Sequence, residues 1–368
     1  MTLQKGRGTR EEIERHQLAR LRELLSELAG ANRFYSARLH AAGIDGALKS
    51  LDDFRRAMPF TLKRELVEDQ RLHPPYGTNL TYSLDRYTRL CQTSATSGSP
   101  LRWLDTPQGW NWMLQCWLRI FAACGVTARD RIFFAFSFAP FLGFWTAFEA
   151  AVQMGCLCIP GGGMGSAARL RMIYENQATV LCCTPTYSLR LAEVAESEGV
   201  DLRDFAVSKI IVAGEPGGSI PAVRARIETV WPAARVFDHH GLTEIGPVSF
   251  PCSQVRDRLH ILESEHLPEA IDPRSGQPAG AGAEGELVLT NLGRPGSPLL
   301  RYRTGDLIKV LPSQTCACGS REMALQGGVL ARTDDMVIVR GVNVYPSAVE
   351  EVVRRERQIV EFRAEVDV

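Results

Sequence analysis

The sequence predicts a layered α/β fold: a large unit built on parallel-sheet subdomains, joined to a β-rich subdomain. Three observations carry this. Between about residues 130 and 237, short apolar runs alternate with helical stretches, the order expected when strands pair in parallel through helical crossovers. The loops at residues 137–143, 161–165 and 214–218, each following an apolar run, are polar or glycine-rich, and ligands of such folds gather at the carboxyl ends of strands. After residue 250 the chain turns to Gly, Pro and short β-like runs.

In chain order, residues 11–28 place Ile13, Leu18, Leu21, Leu25 and Leu28 at helical spacing, an amphipathic helix packed on the body. Residues 131–138 (RIFFAFSF) read as a strand, and 144–154 as a buried helix stopped by Gly155. CLCIP (156–160) is a second strand, with GGGMGS after it and a helix at 166–177. ATVLCC (178–183) is a third strand, followed by a helix with Pro185 near its start and Gly199 at its end. KIIVAG (209–214) is the next strand, then a helix at 219–231, then ARVF (234–237) running into DHHGLTE. In the β-rich part, GELVLT and DLIKV are strands. Residues 333–356 read as strand, turn, and a helix with Pro346 at its first position.

Composition excludes several classes. Lys+Arg and Asp+Glu are both 42, which leaves no electrostatic footprint for nucleic acid or an anionic membrane. No apolar run has membrane-span length, and the charged start has no signal-peptide core, so the expected location is the cytoplasm. The ten cysteines then read as thiols or metal ligands rather than disulfides. Cys156, Cys158, Cys182 and Cys183 lie in apolar runs and read as small buried hydrophobes.

The stretch CQTSATSGSP (91–100) crowds hydroxyls and backbone N–H groups into one loop, a nest suited to polyphosphate. It is not a Walker loop, since no GKS or GKT follows. Alone it is no more than a surface loop. It stands, however, in an ordered set: TSATSGSP (93–100), AGEPGG (213–218), DHHGLTEIGP (238–247), YRTGD (302–306) and ARTDDMVIVRGVNVYPSAVEE (331–351). From about residue 50 onward this set resembles the adenylate-forming superfamily, and within it the phenylacetate-CoA ligase family.

The resemblance implies a large adenylating domain at 1–333, with its β-rich subdomain at about 250–333, and a hinge at Asp334 opening a mobile C-terminal domain. Of that domain only the first part, 334–368, is present. Its catalytic Lys is missing, because no Lys follows Lys309. The implied reaction joins a carboxylate to the α-phosphate of ATP, releases pyrophosphate, and transfers the acyl group to coenzyme A. Thr93, Ser94, Thr96, Ser97 and Gly98 would hold the β- and γ-phosphates. Thr243 would contact the α-phosphate and Glu244 would hold Mg²⁺, a hard cation that favours carboxylate oxygen. Asp306 would accept from the ribose hydroxyls with Arg332 beside it. Glu215, Pro216 and Asp238 belong to the nucleotide site, and His240 would stack on adenine where the family has Tyr. The bland readings are a turn-capping Asp306 and a surface Glu244. The chain departs from the family at Ala95, where Gly is usual, and at Ser99, where Lys is usual; the second removes a cation from the phosphate loop.

The acyl pocket is expected among Ser137, Phe138, Phe141, Phe144, Gly162, Ala213, Gly214 and His239. Its aromatic walls and flat glycines favour an aryl or arylacetic acid, and His239 or Ser137 would meet a ring hydroxyl or amino group. Two other readings stay open: acyl transfer to a carrier-protein phosphopantetheine, and a non-catalytic nucleotide- or aryl-acid-binding protein. A homodimer fits the family. A second constellation, Cys252, His260, Cys316 and Cys318, offers thiolate and imidazole ligands for a closed structural Zn²⁺ site, with His266 as an alternative ligand.

Overall fold

A computed structural model describes residues 8–44, 48–93, 100–138, 140–280, 282–312 and 316–333, the backbone of Val337–Val339 and Val342–Val344, and residues 349, 352 and 353. Helix α1 (Arg10–Leu28) starts where the sequence asks it to. Thr9 caps it, and Glu12 closes a capping box by accepting from the Thr9 N–H. Its apolar stripe buries Leu21, Leu24, Leu25 and Leu28 against α2 (Arg33–Ala41), α3 (Leu51–Ala57) and the loop leucines Leu292 and Leu300. Helix α4 (Lys63–Leu72) follows. An antiparallel hairpin, β1 (Arg89–Gln92) and β2 (Arg102–Asp105), flanks the Ser/Thr-rich loop, of which residues 94–99 lie outside the described residues.

Helix α5 (Pro107–Ala123) begins at the Thr106 cap and is buried along most of its length, with Trp110, Trp112 and Trp117 inside. The sequence reading assigned no element between residues 29 and 130. Helix α5 does carry a signal: Gln108, Asn111 and Gln115 recur at helical spacing on its exposed face, opposite the tryptophans.

The centre is a five-stranded parallel sheet in the order β4 (Leu157–Pro160), β3 (Arg131–Phe134), β5 (Val180–Cys183), β6 (Lys209–Val212), β7 (Arg235–Asp238). Side chains alternate between its faces. Ile132, Phe134, Cys182, Ile211 and Phe237 face α5 and α6 (Trp145–Gln153). Phe133, Leu181, Ile210, Val212 and Val236 face α7 (Ser166–Glu175), α8 (Pro185–Ser197) and α9 (Pro221–Val230). The elements read from this half of the chain are all present. The strand read over 131–138 is shorter: pairing with β5 ends at Phe134↔Cys182, and the chain leaves the sheet there.

Two short strands, β8 (Gly241–Leu242) and β9 (Gly246–Pro247), make a tight ribbon after β7. The β-rich part is a six-stranded antiparallel sheet in the order β10 (Ser249–Pro251), β11 (Arg258–Ile261), β15 (Ala324–Arg332), β14 (Tyr302–Val310), β13 (Glu284–Asn291), β12 (His266–Ile271). Beyond it, β16 (Val337–Val339) and β17 (Val342–Val344) form a hairpin; Pro346 and the expected hinge at Asp334 lie outside the described residues. No described helix is long and apolar enough to cross a membrane.

A buried ion pair locks these parts together. Arg294, in the loop between β13 and β14, donates from Nε and Nη2 to the two carboxylate oxygens of Asp105 at 2.6 and 2.5 Å. Its Nη1 donates to the carbonyls of Thr243 and Glu244, each at 2.9 Å. Both side chains are 1% exposed. Removing one member of such a pair strands the other charge in the core. Arg294→Met is therefore expected to lower unfolding free energy by about 3–5 kcal/mol in urea titration, against a loss below about 1 kcal/mol for an exposed pair.

Candidate functional site

The carboxyl ends of the parallel strands and the edge of the antiparallel sheet enclose a cavity of about 970 Å³. A groove of about 1010 Å³ also runs between α8 and α9. It lies on the outer helical layer, away from the strand ends, and none of the motif residues line it.

One end of the main cavity is polar. Glu244, 4% exposed, stands where the ribbon β8–β9 turns. Lys63 Nζ lies 3.2 Å from its Oε1, and the Tyr302 hydroxyl donates to the same oxygen at 3.2 Å. Burial first, and then the neighbouring Glu244, push the Tyr302 phenol well up, so it stays a neutral donor. Lys63 is placed by backbone pairing: Thr61 N–H donates to the Arg301 carbonyl at 3.0 Å, and Arg303 N–H to the Thr61 carbonyl at 3.0 Å. This bridge ties the start of α4 to β14, so Lys63 emerges beside Tyr302. Nothing in the sequence singles Lys63 out, because its partner Glu244 lies about half the chain away.

Thr243, Thr304, Arg332 and Thr93 line the same end. Thr93 is held in place by exchanging hydrogen bonds with Leu101 across the neck of the phosphate-loop candidate. Its neighbours in that motif, Ser94, Thr96, Ser97 and Gly98, lie outside the described residues, as do Ala95 and Ser99.

A smaller cavity of about 150 Å³ opens next to it, with Gly214, Glu215, Pro216, Asp238, His240 and Asp306 in its wall. Asp306 accepts from Arg332 Nη1 at 3.0 Å and from His240 Nε2 at 2.9 Å. The His240 ring thus binds the Asp306 carboxylate through its edge, a contact the stacking expectation did not contain. Glu215 accepts from the Thr186 N–H at 2.7 Å and hydroxyl at 2.6 Å, which ties the 213–218 loop to α8. Asp238 ends β7 half-buried, and its desolvation lifts the carboxyl to about 6 despite donors from Ser219 and the His239 N–H. Gly218 is required here: a Cβ would stand 2.6 Å from Asp238 Oδ1.

The other end of the main cavity is apolar. Trp117, Phe136, Phe141 and Phe144 wall it, with Ala213 and Gly214 on the side of β6. Ser137 and His239 also line it, as expected. Phe138 and Gly162 do not. Phe138 packs behind the wall, against Phe136 (centroids 4.8 Å) and Phe148 (5.1 Å). Gly162 serves close approach: a Cβ there would lie 3.2 Å from the Phe136 carbonyl. Trp117 and Phe136 were missed because their role depends on how α5 and the 135–144 loop meet.

The thiol and imidazole groups of Cys252, His260, Cys316 and Cys318 all lie within 4.8 Å of one another. Cys252 and Cys316 sulfurs are 3.5 Å apart, and Cys318 Sγ is 3.4 Å from His260 Nε2. Ligand atoms around tetrahedral Zn²⁺ stand about 3.4–3.8 Å apart, so the set fits the ion. His260 Nδ1 donates to the Glu322 carbonyl at 3.3 Å, which turns Nε2 toward the sulfurs. Burial opposes ionisation of Cys316, but hydrogen bonds from the Cys318 N–H and Arg258 outweigh it and bring the thiol down to about 7. His266 is not part of the cluster: its Nε2 lies 2.8 Å from the Pro247 carbonyl, and its ring packs on Trp112.

No family model matches the chain. It is 32% identical over 354 residues to a phenylacetate-coenzyme A ligase of Thermus thermophilus, covering 95% of this chain and 77% of that protein. It is 30% identical over 371 residues to the phenylacetate-coenzyme A ligase of Escherichia coli, covering 97% and 80%. Among solved structures it superposes on 2-hydroxyisobutyryl-CoA ligase in the postadenylation state in complex with 2-HIB-AMP, with a TM-score of 0.89 and 26% identity over 96% of this chain and 74% of that one.

His239 and His266 are buried, and burial lowers them from 6.5 to about 3 and about 4. Each native pKa lies below the unfolded one, so the unfolded chain takes up the extra proton as pH drops below 6.5. Unfolding free energy is expected to fall by about 2 kcal/mol per ring between pH 7 and 5. Denaturant titrations at the two pH values measure this; equal stability would contradict the buried neutral rings.

Proposed function

The chain belongs to the phenylacetate-coenzyme A ligase family, and from that premise we propose that it activates an aryl or arylacetic carboxylate with ATP and transfers the acyl group to coenzyme A. In the first step a carboxylate oxygen bonds to the α-phosphorus and the bond to pyrophosphate breaks, leaving an acyl-adenylate. In the second, the thiolate attacks the acyl carbonyl and AMP departs.

The observation that carries this reading is one cavity with two unlike ends: an aromatic pocket, and a cluster of Lys63, Glu244, Tyr302 and Thr243. An acid bound with its ring among Trp117, Phe136 and Phe144 directs its carboxylate toward that cluster. The carboxylate is already a nucleophile, so the reaction needs orientation and charge stabilisation rather than a strong base. Lys63 supplies a cation beside Glu244, in a chain that has Ser99 in its phosphate loop. The carboxylate of Glu244, enclosed and facing the cavity, fits Mg²⁺, which when bound neutralises phosphate charge. Thr243 faces the α-phosphate position. Asp306 and Arg332 border the nucleotide side, where Asp306 offers its carboxylate to ribose hydroxyls in exchange for His240. Glu215, Pro216 and Asp238 frame the base.

Replacing Lys63 by Ala is expected to lower kcat for acid-dependent pyrophosphate release by about 100-fold, the scale of losing one preorganised charge-stabilising group. A change below about threefold would remove Lys63 from the reaction, and absence of acid-dependent release from the wild-type protein across a panel of aryl acids would overturn the function itself.

We infer that Cys252, His260, Cys316 and Cys318 hold a structural Zn²⁺, which joins β10, β11 and the loop before β15. The purified protein is expected to contain about one zinc per chain by elemental analysis. Cys316→Ser is expected to lose the zinc and several degrees of thermal midpoint; a metal-free wild type of full stability would contradict the site.

A further inference from the structure

The apolar pocket contains a buried polar atom that no described residue satisfies. His239 is 5% exposed and lines the cavity. Its Nδ1 lies 2.9 Å from the Ser249 carbonyl, which can only accept, so Nδ1 carries the ring proton. The ring is neutral: burial holds it down to about 3. Nε2 is therefore a lone-pair acceptor, and it has no hydrogen-bond partner among the described residues.

The surroundings hold that acceptor in place and leave room before it. Trp117 packs on the ring with centroids 4.5 Å apart, and its own indole N–H is taken by Thr146 at 3.0 Å, so it does not serve His239. Gly241 lies alongside, and a Cβ there would come within 3.3 Å of Nε2. The glycine keeps the space a side chain would fill. A ring nitrogen this basic-poor does not act as a general base; it recognises a donor.

We propose that the carboxylic acid this enzyme activates carries a hydroxyl or amino group on its aromatic ring, and that this group donates a hydrogen bond to His239 Nε2. The inference rests on the adenylation reading above and narrows its substrate class. A pocket built to pair with a polar hydrogen leaves a buried acceptor stranded when the substrate lacks it, so discrimination against an isosteric apolar substituent is strong.

The test uses the wild-type enzyme with ATP and Mg²⁺, read by acid-dependent pyrophosphate exchange. The acids are benzoic and phenylacetic acid and their ortho, meta and para hydroxy, amino and methyl derivatives. At one ring position the hydroxy or amino acid is expected to exceed its methyl counterpart in kcat/KM by about tenfold or more. The two donor arms tell which group is read. Methyl derivatives equal to or better than the donors at every position overturn the proposal. In His239→Leu the donor-to-methyl ratio is expected to collapse to about one or invert, and an unchanged ratio overturns it. Should that variant fail to fold, the wild-type ratio alone decides. If no acid of any kind supports exchange, the adenylation reading falls, and the narrower proposal with it.

Discussion

The site depends on a charge pair that never meets solvent. Arg294 uses three of its nitrogens at once, two on the Asp105 carboxylate and one shared by the carbonyls of Thr243 and Glu244. Those carbonyls belong to a turn too short to satisfy them through its own strands, since β8 and β9 pair over only two residues each. A buried carbonyl without a donor is costly, and a planar guanidinium is suited to reach several acceptors from one stem. The pair thereby sets where the Glu244 side chain begins, beside Lys63 and Tyr302 in the cavity.

Two sheets then contribute opposite chemistry. The parallel sheet is buried on both faces, and its strand ends open into loops that supply the apolar walls on one side and the carboxylates Glu215 and Asp238 on the other. The antiparallel sheet brings Tyr302, Asp306 and Arg332 to the end where β14 begins and β15 finishes. The N-terminal segment adds Lys63, and it does so by bridging to the second sheet where β14 begins: Thr61 pairs with Tyr302. Activation of an acid by ATP needs an apolar place for the acyl group and a charged place for phosphate within one molecule's length, and this junction provides both.

Local pattern made the parallel half legible. Strand runs such as KIIVAG and the Pro185 and Thr184 start of α8 announce themselves within a few residues. So did the motif residues around Glu244 and Asp306, and the Cys252–Cys318 cluster, because each combines chemical type with order along the chain. What stayed hidden is long-range. Lys63 reaches Glu244 across about half the chain, so no local pattern marks it. Phe138 and Gly162 were drawn to the pocket by composition, but the chain leaves the sheet at Phe134, and that exit turns Phe136 inward and Phe138 away. His240 was read by analogy with a stacking ring; its contact with Asp306 follows from the close approach of β8 to β14.

The central claim is that the cavity is shaped for an acyl-adenylate rather than for an acid or a nucleotide alone. Isothermal calorimetry with an aryl acyl-sulfamoyl adenosine, a stable mimic of that intermediate, tests it most directly. The account predicts binding to the wild-type protein at least about 100-fold tighter than ATP or the free acid, as expected of a site complementary to the species between the two half-reactions. Binding no tighter than that of AMP would contradict it.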